Sequence, residues 1–270
     1  MTETAIHPET RAAWAKRLRR LRRALVPHRP KAFRDSLNRW LLMGTVIGIV
    51  SGVGAIIFFF CLETGTHWLL ETLGSYTPPG TLGEGGGATS TGPTRPWAIP
   101  LVVTGGALVS GILVYFVAPT AKGHGTDNAI HAVHHDPTAL KGKVAAVKII
   151  ASALVIGSGG SGGREGPTAQ ISATVISSLC KKLKIATPDA RIAVSAATAS
   201  GIGAIFRAPL GGALLGAELL YRDDMESDAI MPSLVSSIVA FVVFGSVYGF
   251  EPIFGSLNGV QFSEPLQLIW

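Results

Sequence analysis

Three stretches of this chain are free of charge over a length that can cross a membrane. They are Trp40–Leu62, Trp97–Ala121 and Ala229–Phe250, of 23, 25 and 22 residues. A spanning helix needs about 20 apolar residues to cross about 30 Å of hydrocarbon, and a helix buried in a soluble core is usually shorter. The composition agrees: 15% of residues are charged, against roughly 25% in soluble domains. The 33 glycines add the small residues that let helices in lipid approach closely. The fold class expected is an all-α polytopic membrane protein.

Eleven of the 23 lysines and arginines lie in residues 1–39, against three acidic residues there. By the positive-inside rule this places the N-terminus in the cytoplasm. Trp14, Leu18, Leu21 and Leu25 recur among the arginines, a pattern for an amphipathic helix on an anionic membrane surface and not for nucleic-acid binding. Too much charged sequence precedes the first apolar run for a secretory signal. The first span is expected as one long helix over 36–72. The loop that follows, rich in Gly and Pro, carries one Glu and one Arg, which suits an outside loop.

After the second span the pattern changes. Apolar segments over 123–136, 140–158, 165–180, 188–205 and 208–221 are short and are broken by Gly, Pro and charge. Broken helices at membrane depth are tolerated only where they are buried in protein or line a polar cavity, so a site is expected between 120 and 221. Within it lies GSGGSGGREGPT, residues 157–168. Its glycines and Pro167 read as a loop feeding a helix over Thr168–Leu183. A helix N-terminus has unpartnered N–H groups and a partial positive charge, and it binds anions. Glu165 is an anion tethered at that end, and an ionisable residue inside a membrane marks function. A nucleotide-binding loop would need a Gly-Lys-Ser/Thr ending, which is absent. Gly123–Asp127, GHGTD, reads as a second loop-to-helix start, and FRAPLGGALLGAE, residues 206–218, as a short helix opened by Pro209.

His124, His131 and His135 are spaced to share one helical face, which suggests a metal or proton-sensing site; solvated histidines at a helix end, with His134, are the plainer alternative. No metal-ligand spacing is present, and Cys61 and Cys180 read as small apolar side chains. No nucleophile elbow or triad order points to an enzyme.

GREGP at 163–167, the downstream APLGGALLGAE and Lys148, seventeen residues before Glu165, together resemble the CLC family of chloride channels and proton/chloride exchangers. The resemblance runs from about Trp40 to about Phe250. It implies a fold of two inverted repeats of tilted and broken helices, whose N-termini point at a buried anion. By resemblance Glu165 is the external gate and Gly163, Arg164, Gly166, Pro167 and Thr168 shape its helix end. GHGTD takes the place of the family's first anion-binding loop, usually Gly-Ser-Gly-Ile-Pro, through Gly123, His124 and Gly125. His124 stands where the family has a serine. Exchangers carry two consecutive glutamates; Glu218 fits the first, as a candidate on the proton path, and Leu219 replaces the second.

The family's second repeat carries a Gly-x-Phe-x-Pro loop and an anion-coordinating tyrosine, and this sequence has no such loop. The organisation expected is a basic cytoplasmic segment over 1–39 and a CLC-like membrane region over 40–270 that is the first repeat, about half of a complete protein. The function implied is a chloride channel of the CLC type, gated by Glu165 and voltage-dependent. The alternatives are a proton-coupled chloride antiporter, or a half-subunit that conducts only with a partner chain. No cofactor is implied beyond the transported anion, and no nucleic acid. The partners implied are the bilayer, a second copy in a homodimer through Pro209–Leu220 and Ala229–Phe250, and the second repeat. The location implied is a bacterial inner membrane.

Overall fold

A computed structural model of the chain describes residues 30–79, 92–218, 227–251 and 253. The basic stretch over 1–29, the loop over 80–91, Leu219 and the terminal LQLIW lie outside the described residues. The described residues are helical and contain no strand: the chain folds as an all-α polytopic membrane protein. The helices are α1 (Pro30–Thr66), α2 (Ala98–Val117), α3 (Thr126–His134), α4 (Gly142–Gly157), α5 (Glu165–Leu183), α6 (Thr187–Ile205), α7 (Pro209–Glu218) and α8 (Ser227–Tyr248).

The chain divides into two compact units, Met1–Trp40 and Leu41–Trp270. In the first, the described part is the start of α1. This helix begins at Pro30, six residues before the position expected, because proline suits a first helical turn where its missing N–H has no acceptor to serve. The Arg39 guanidinium lies 5.4 Å from the Trp40 ring centroid.

In the second unit, three helical stretches are long and apolar enough to span: Asn38–Leu73 (its first residues in the first unit), Ala98–Val117 and Asp228–Tyr248. The first ends in a π-helical turn, His67–Leu73. Helices α3 and α7 have 9 and 10 residues, about 14–15 Å, half of what a bilayer requires. Their ends therefore fall inside the protein, as the broken segments imply.

Helix α6 sits in the middle, packed by α3, α5, α7 and α8. Its sequence is Ala, Ser and Gly with few large side chains, and Ala190 to Ile205 is buried apart from Arg191. Hydroxyls tie the layers: Ser195 donates to the Gly216 carbonyl at 3.2 Å and Ser236 to the Ala196 carbonyl at 3.0 Å. Helices α1 and α8 meet through Gly44, Gly48 and Gly52, one every four residues. A methyl on Gly48 would lie 2.5 Å from the Ser236 carbonyl oxygen and 2.7 Å from Val239. This is the small-residue approach by which helices associate where water gives no hydrophobic drive. Larger side chains gather beside it: Phe58, Phe59, Phe244, Ile171 and Ile205 form an apolar cluster. Leu42, Val46, Ile49, Val53, Ile57 and Phe60 line the opposite, exposed face of α1, the composition of a lipid-facing surface.

Candidate functional site

The site is built where the starts of α3 and α5 meet. Gly123 (φ +78°) and Gly125 (φ +110°) are both in the left-handed region that residues with a Cβ avoid, and they turn His124 out of the loop between them. Three carbonyls of this loop are held from below. The buried Lys148 ammonium on α4 donates to Gly123 at 2.6 Å and to Ala121 at 3.1 Å. Gln170 on α5 and Asn128 on α3 both donate to Thr120, at 3.1 and 2.9 Å. Gln170 and Asn128 thus anchor the loop beside the candidate residues; a Gln in a helix of small apolar residues is the signal in the sequence that points to one of them.

Helix α5 begins at Glu165, three residues earlier than the Thr168 expected, so Pro167 is its third residue. That shift changes the role of Thr168. Its N–H donates to the Arg164 carbonyl at 3.2 Å, its hydroxyl donates to the same carbonyl, and it is fully buried. Thr168 therefore closes the first turn and offers no donor to an anion. The groups left without an intrahelical acceptor at this start are the Glu165 and Gly166 N–H groups.

The two helix starts touch through glycine. A methyl on Gly166 would strike the His124 carbonyl and lie 2.6 Å from its Nδ1, and one on Gly125 would lie 2.6 Å from Gln170 Oε1. The Glu165 carboxylate folds back over Gly163, both oxygens 3.0 Å from where a Cβ would stand. It also faces His124: Nε2 is 3.8 Å from Glu165 Oε1, and His124 Nδ1 is 3.1 Å from the Thr126 hydroxyl.

Two cavities meet at this point. One, of about 360 Å³, is lined by the C-terminal half of α2, the 121–124 loop, Lys148, Gly162, Gly163 and Pro167. The other, of about 610 Å³, is lined by Glu63, Thr66 and Glu71 at the far end of α1, by Arg164 and Glu165, and again by Gly162 and Gly163. Of the candidate anion-site residues, Gly123, His124, Gly163 and Pro167 face the first and Gly163, Arg164 and Glu165 the second. Gly125, Gly166 and Thr168 are buried behind them. The Arg164 guanidinium lies 5.5 Å from the Phe59 ring centroid.

The histidines separate. His124 is in the loop before α3, so it does not share a helical face with His131 and His135, which stack on each other at 4.2 Å. Among the described residues no group of three His, Cys, Asp or Glu can hold a metal. Glu218 is exposed at the end of α7. Asp136, in the turn after α3, accepts from the Thr138 N–H at 2.9 Å and its hydroxyl at 2.8 Å, which holds its carboxyl below the usual range.

The family model described as voltage gated chloride channel matches residues 106–270, which include every candidate residue above. The chain belongs to the voltage gated chloride channel family. Relatives in this family carry names of both kinds. The chain is 28% identical over 235 residues to an H(+)/Cl(−) exchange transporter, ClcA, of Vibrio campbellii, covering 85% of this chain and 46% of that protein. It is 25% identical over 213 residues to a chloride/fluoride channel protein of Pseudomonas syringae pv. tomato, covering 79% and 41%. The chain thus spans less than half the length of these curated relatives. The crystal structure of a slow cyanobacterial Cl−/H+ antiporter shares the fold, with a TM-score of 0.63 at 24% identity over 86% of this chain and 52% of that one.

Lys148→Met in this family member should be destabilising. It leaves the carbonyl of buried Ala121 without its donor, at about 1–3 kcal/mol, and releases that of the exposed Gly123. The expected result is a lowered thermal unfolding midpoint in detergent, with Lys148→Arg restoring part of it.

Proposed function

We propose that this chain forms one half of a chloride-conducting path across a bacterial plasma membrane, with Glu165 as its gate. The observation that supports this most is the place of the Glu165 carboxylate. It lines the cavity reaching toward the far end of α1 and lies over Gly163, which also walls the cavity toward the returning end of α2. With the N-terminus in the cytoplasm, the first of these faces outward. A chloride entering there competes with the carboxylate for the positive end of α5. The second repeat and a homodimeric partner complete the assembly. The exposed Leu210, Leu214, Met231 and Ile238 of α7 and α8 supply an apolar face suited to the partner.

Within this reading the protein conducts passively. A coupled proton needs titratable stations, and Leu219 cannot be one. The test uses the full-length protein in liposomes with an imposed chloride gradient and a pH dye inside. Chloride flux without uphill proton movement is the expected result. Uphill proton movement would make the protein an antiporter, as its Vibrio relative is named.

A further inference from the structure

We propose that the groove between the end of α1 and the start of α2 seats one anionic phospholipid, a phosphatidylglycerol, with its phosphate on Arg95 and one of its acyl chains over Gly105. The inference goes beyond the reading of Glu165 as the gate and does not depend on it. The groove has a volume of about 390 Å³. Leu69 and Leu73 of the π-helical turn wall one side, Leu101 and Gly105 of α2 the other, and Arg95 and Trp97 stand at its mouth. The Thr94 N–H donates to the Ser75 carbonyl at 3.3 Å, which ties the start of α2 beside the end of α1. The Arg95 carbonyl accepts from the Ala98 N–H at 2.9 Å and closes the turn that opens α2.

The depth of the groove points to a lipid. Trp97 and Gly106 are nine residues apart, about 13 Å along a helix, and the hydrocarbon of a bilayer is about 30 Å thick. Trp68 and Trp97 are both exposed at this end of the two spans, and exposed indoles collect at the level of the headgroups. A groove that starts at that level and ends near the midplane fits an acyl chain of one leaflet. A helix of a partner protein would cross the whole thickness.

The floor and the mouth agree with this occupant. Gly106 has a packing reason to be glycine, because a methyl there would strike the Ser158 side chain. Gly105 beside it has none: nothing lies within 4 Å of where its Cβ would stand. Glycine weakens a helix interior, and at this position it deepens the groove without admitting another helix. Among the described residues Arg95 makes no ion pair, and no carboxylate lines the groove. A guanidinium matches the oxygens of a phosphate, and the start of α2 adds a partial charge of the same sign. A zwitterionic headgroup brings an ammonium for which the lining holds no acid, so phosphatidylglycerol is favoured over phosphatidylcholine.

The experiment is native mass spectrometry of the full-length protein in neutral detergent. It is titrated with phosphatidylglycerol, with phosphatidylcholine of the same chains, and with glycerol 3-phosphate. The wild type should retain one phosphatidylglycerol about threefold more tightly than phosphatidylcholine, the size of a screened ion pair at an exposed cation, and should not retain glycerol 3-phosphate. Arg95→Gln should erase the preference and leave phosphatidylcholine as it was. Gly105→Leu fills the floor and should weaken both lipids about tenfold. Lys182→Gln, which removes an exposed cation at the end of α5, should keep the wild-type pattern. Arg95→Gln alters only an exposed side chain, so the test survives a Gly105→Leu that folds poorly. Equal retention of the two lipids by the wild type, or a preference that persists in Arg95→Gln, overturns the proposal. So does a folded Gly105→Leu with unchanged lipid binding; if that variant loses self-association instead, the groove belongs to a second copy of the chain. Glycerol 3-phosphate held as tightly as the lipid would mean an anion site without a chain, and also overturns it.

Discussion

Replacing Glu165 by Gln or Ala should raise chloride efflux at neutral pH and flatten its dependence on external pH. The carboxylate lies over Gly163 at the start of α5, whose Glu165 and Gly166 N–H groups have no acceptor within the helix, so the helix dipole favours its charge. A carboxylate at a helix N-terminus gains about 0.3–2 kcal/mol, so its removal should raise flux by about two- to thirtyfold if release of the gate limits conduction. Gln keeps the shape and loses the charge, and Ala removes both. The two variants should therefore agree in their flat pH profiles, and Ala should pass more chloride of the two. Tracer efflux from liposomes holding the full-length protein reads both effects. A pair of variants with the wild-type profile would remove Glu165 from the gate.

Gly166→Ala should be the most damaging single methyl in the site. The new Cβ would strike the His124 carbonyl and lie 2.6–2.7 Å from the imidazole. Backbone stands on one side and a helix on the other, so neither can give by a rotamer change. Overpacking of this kind costs about 1–3 kcal/mol, and it would part the α3 start from the α5 start. The expected result is a lowered unfolding midpoint together with loss of anion flux. Gly105→Ala is the control. That position has open space around it on α2, where alanine is favoured over glycine in a helix by about 1 kcal/mol, so it should unfold no earlier than the wild type.

The division between membrane-spanning helices and a broken, site-bearing region was legible because both signals are local. An uncharged run of 20 residues identifies a span without reference to the rest of the chain. Gly, Pro and charge breaking the later segments identify α3 to α7 within a few residues. Glu165 stands out for the same reason, as a carboxylate between glycines in apolar sequence, and the structure puts it at the first residue of α5. The limits lie where the deciding partner is distant in sequence. The start of α5 was placed at Thr168 because Pro167 reads as a helix opener, yet proline is tolerated anywhere in a first turn, and the turn is closed by the Arg164 carbonyl. His124 was grouped with His131 and His135 by spacing, whereas its neighbour is 41 residues away on another helix. The anchoring of Thr120 by Gln170 and Asn128 leaves no periodic trace at all.

The glycine contacts of the scaffold bear on how fast this protein can work. At Gly48, Gly212 and Gly216 a neighbouring helix stands where a side chain would otherwise begin, and at Gly166 the loop before α3 does. Helices in such contact have no layer of adaptable side chains between them to absorb a tilt or a slide. On the reading of Glu165 as the gate proposed above, the opening movement is confined to groups with rotatable bonds on the cavity walls, chiefly the Glu165 side chain. Movements of that size take nanoseconds or less when unhindered, whereas the rocking of whole helical domains takes microseconds to milliseconds. A path that opens by one side chain turning within a stationary frame has a ceiling on throughput set by the ion and its binding site, and not by the machinery around them.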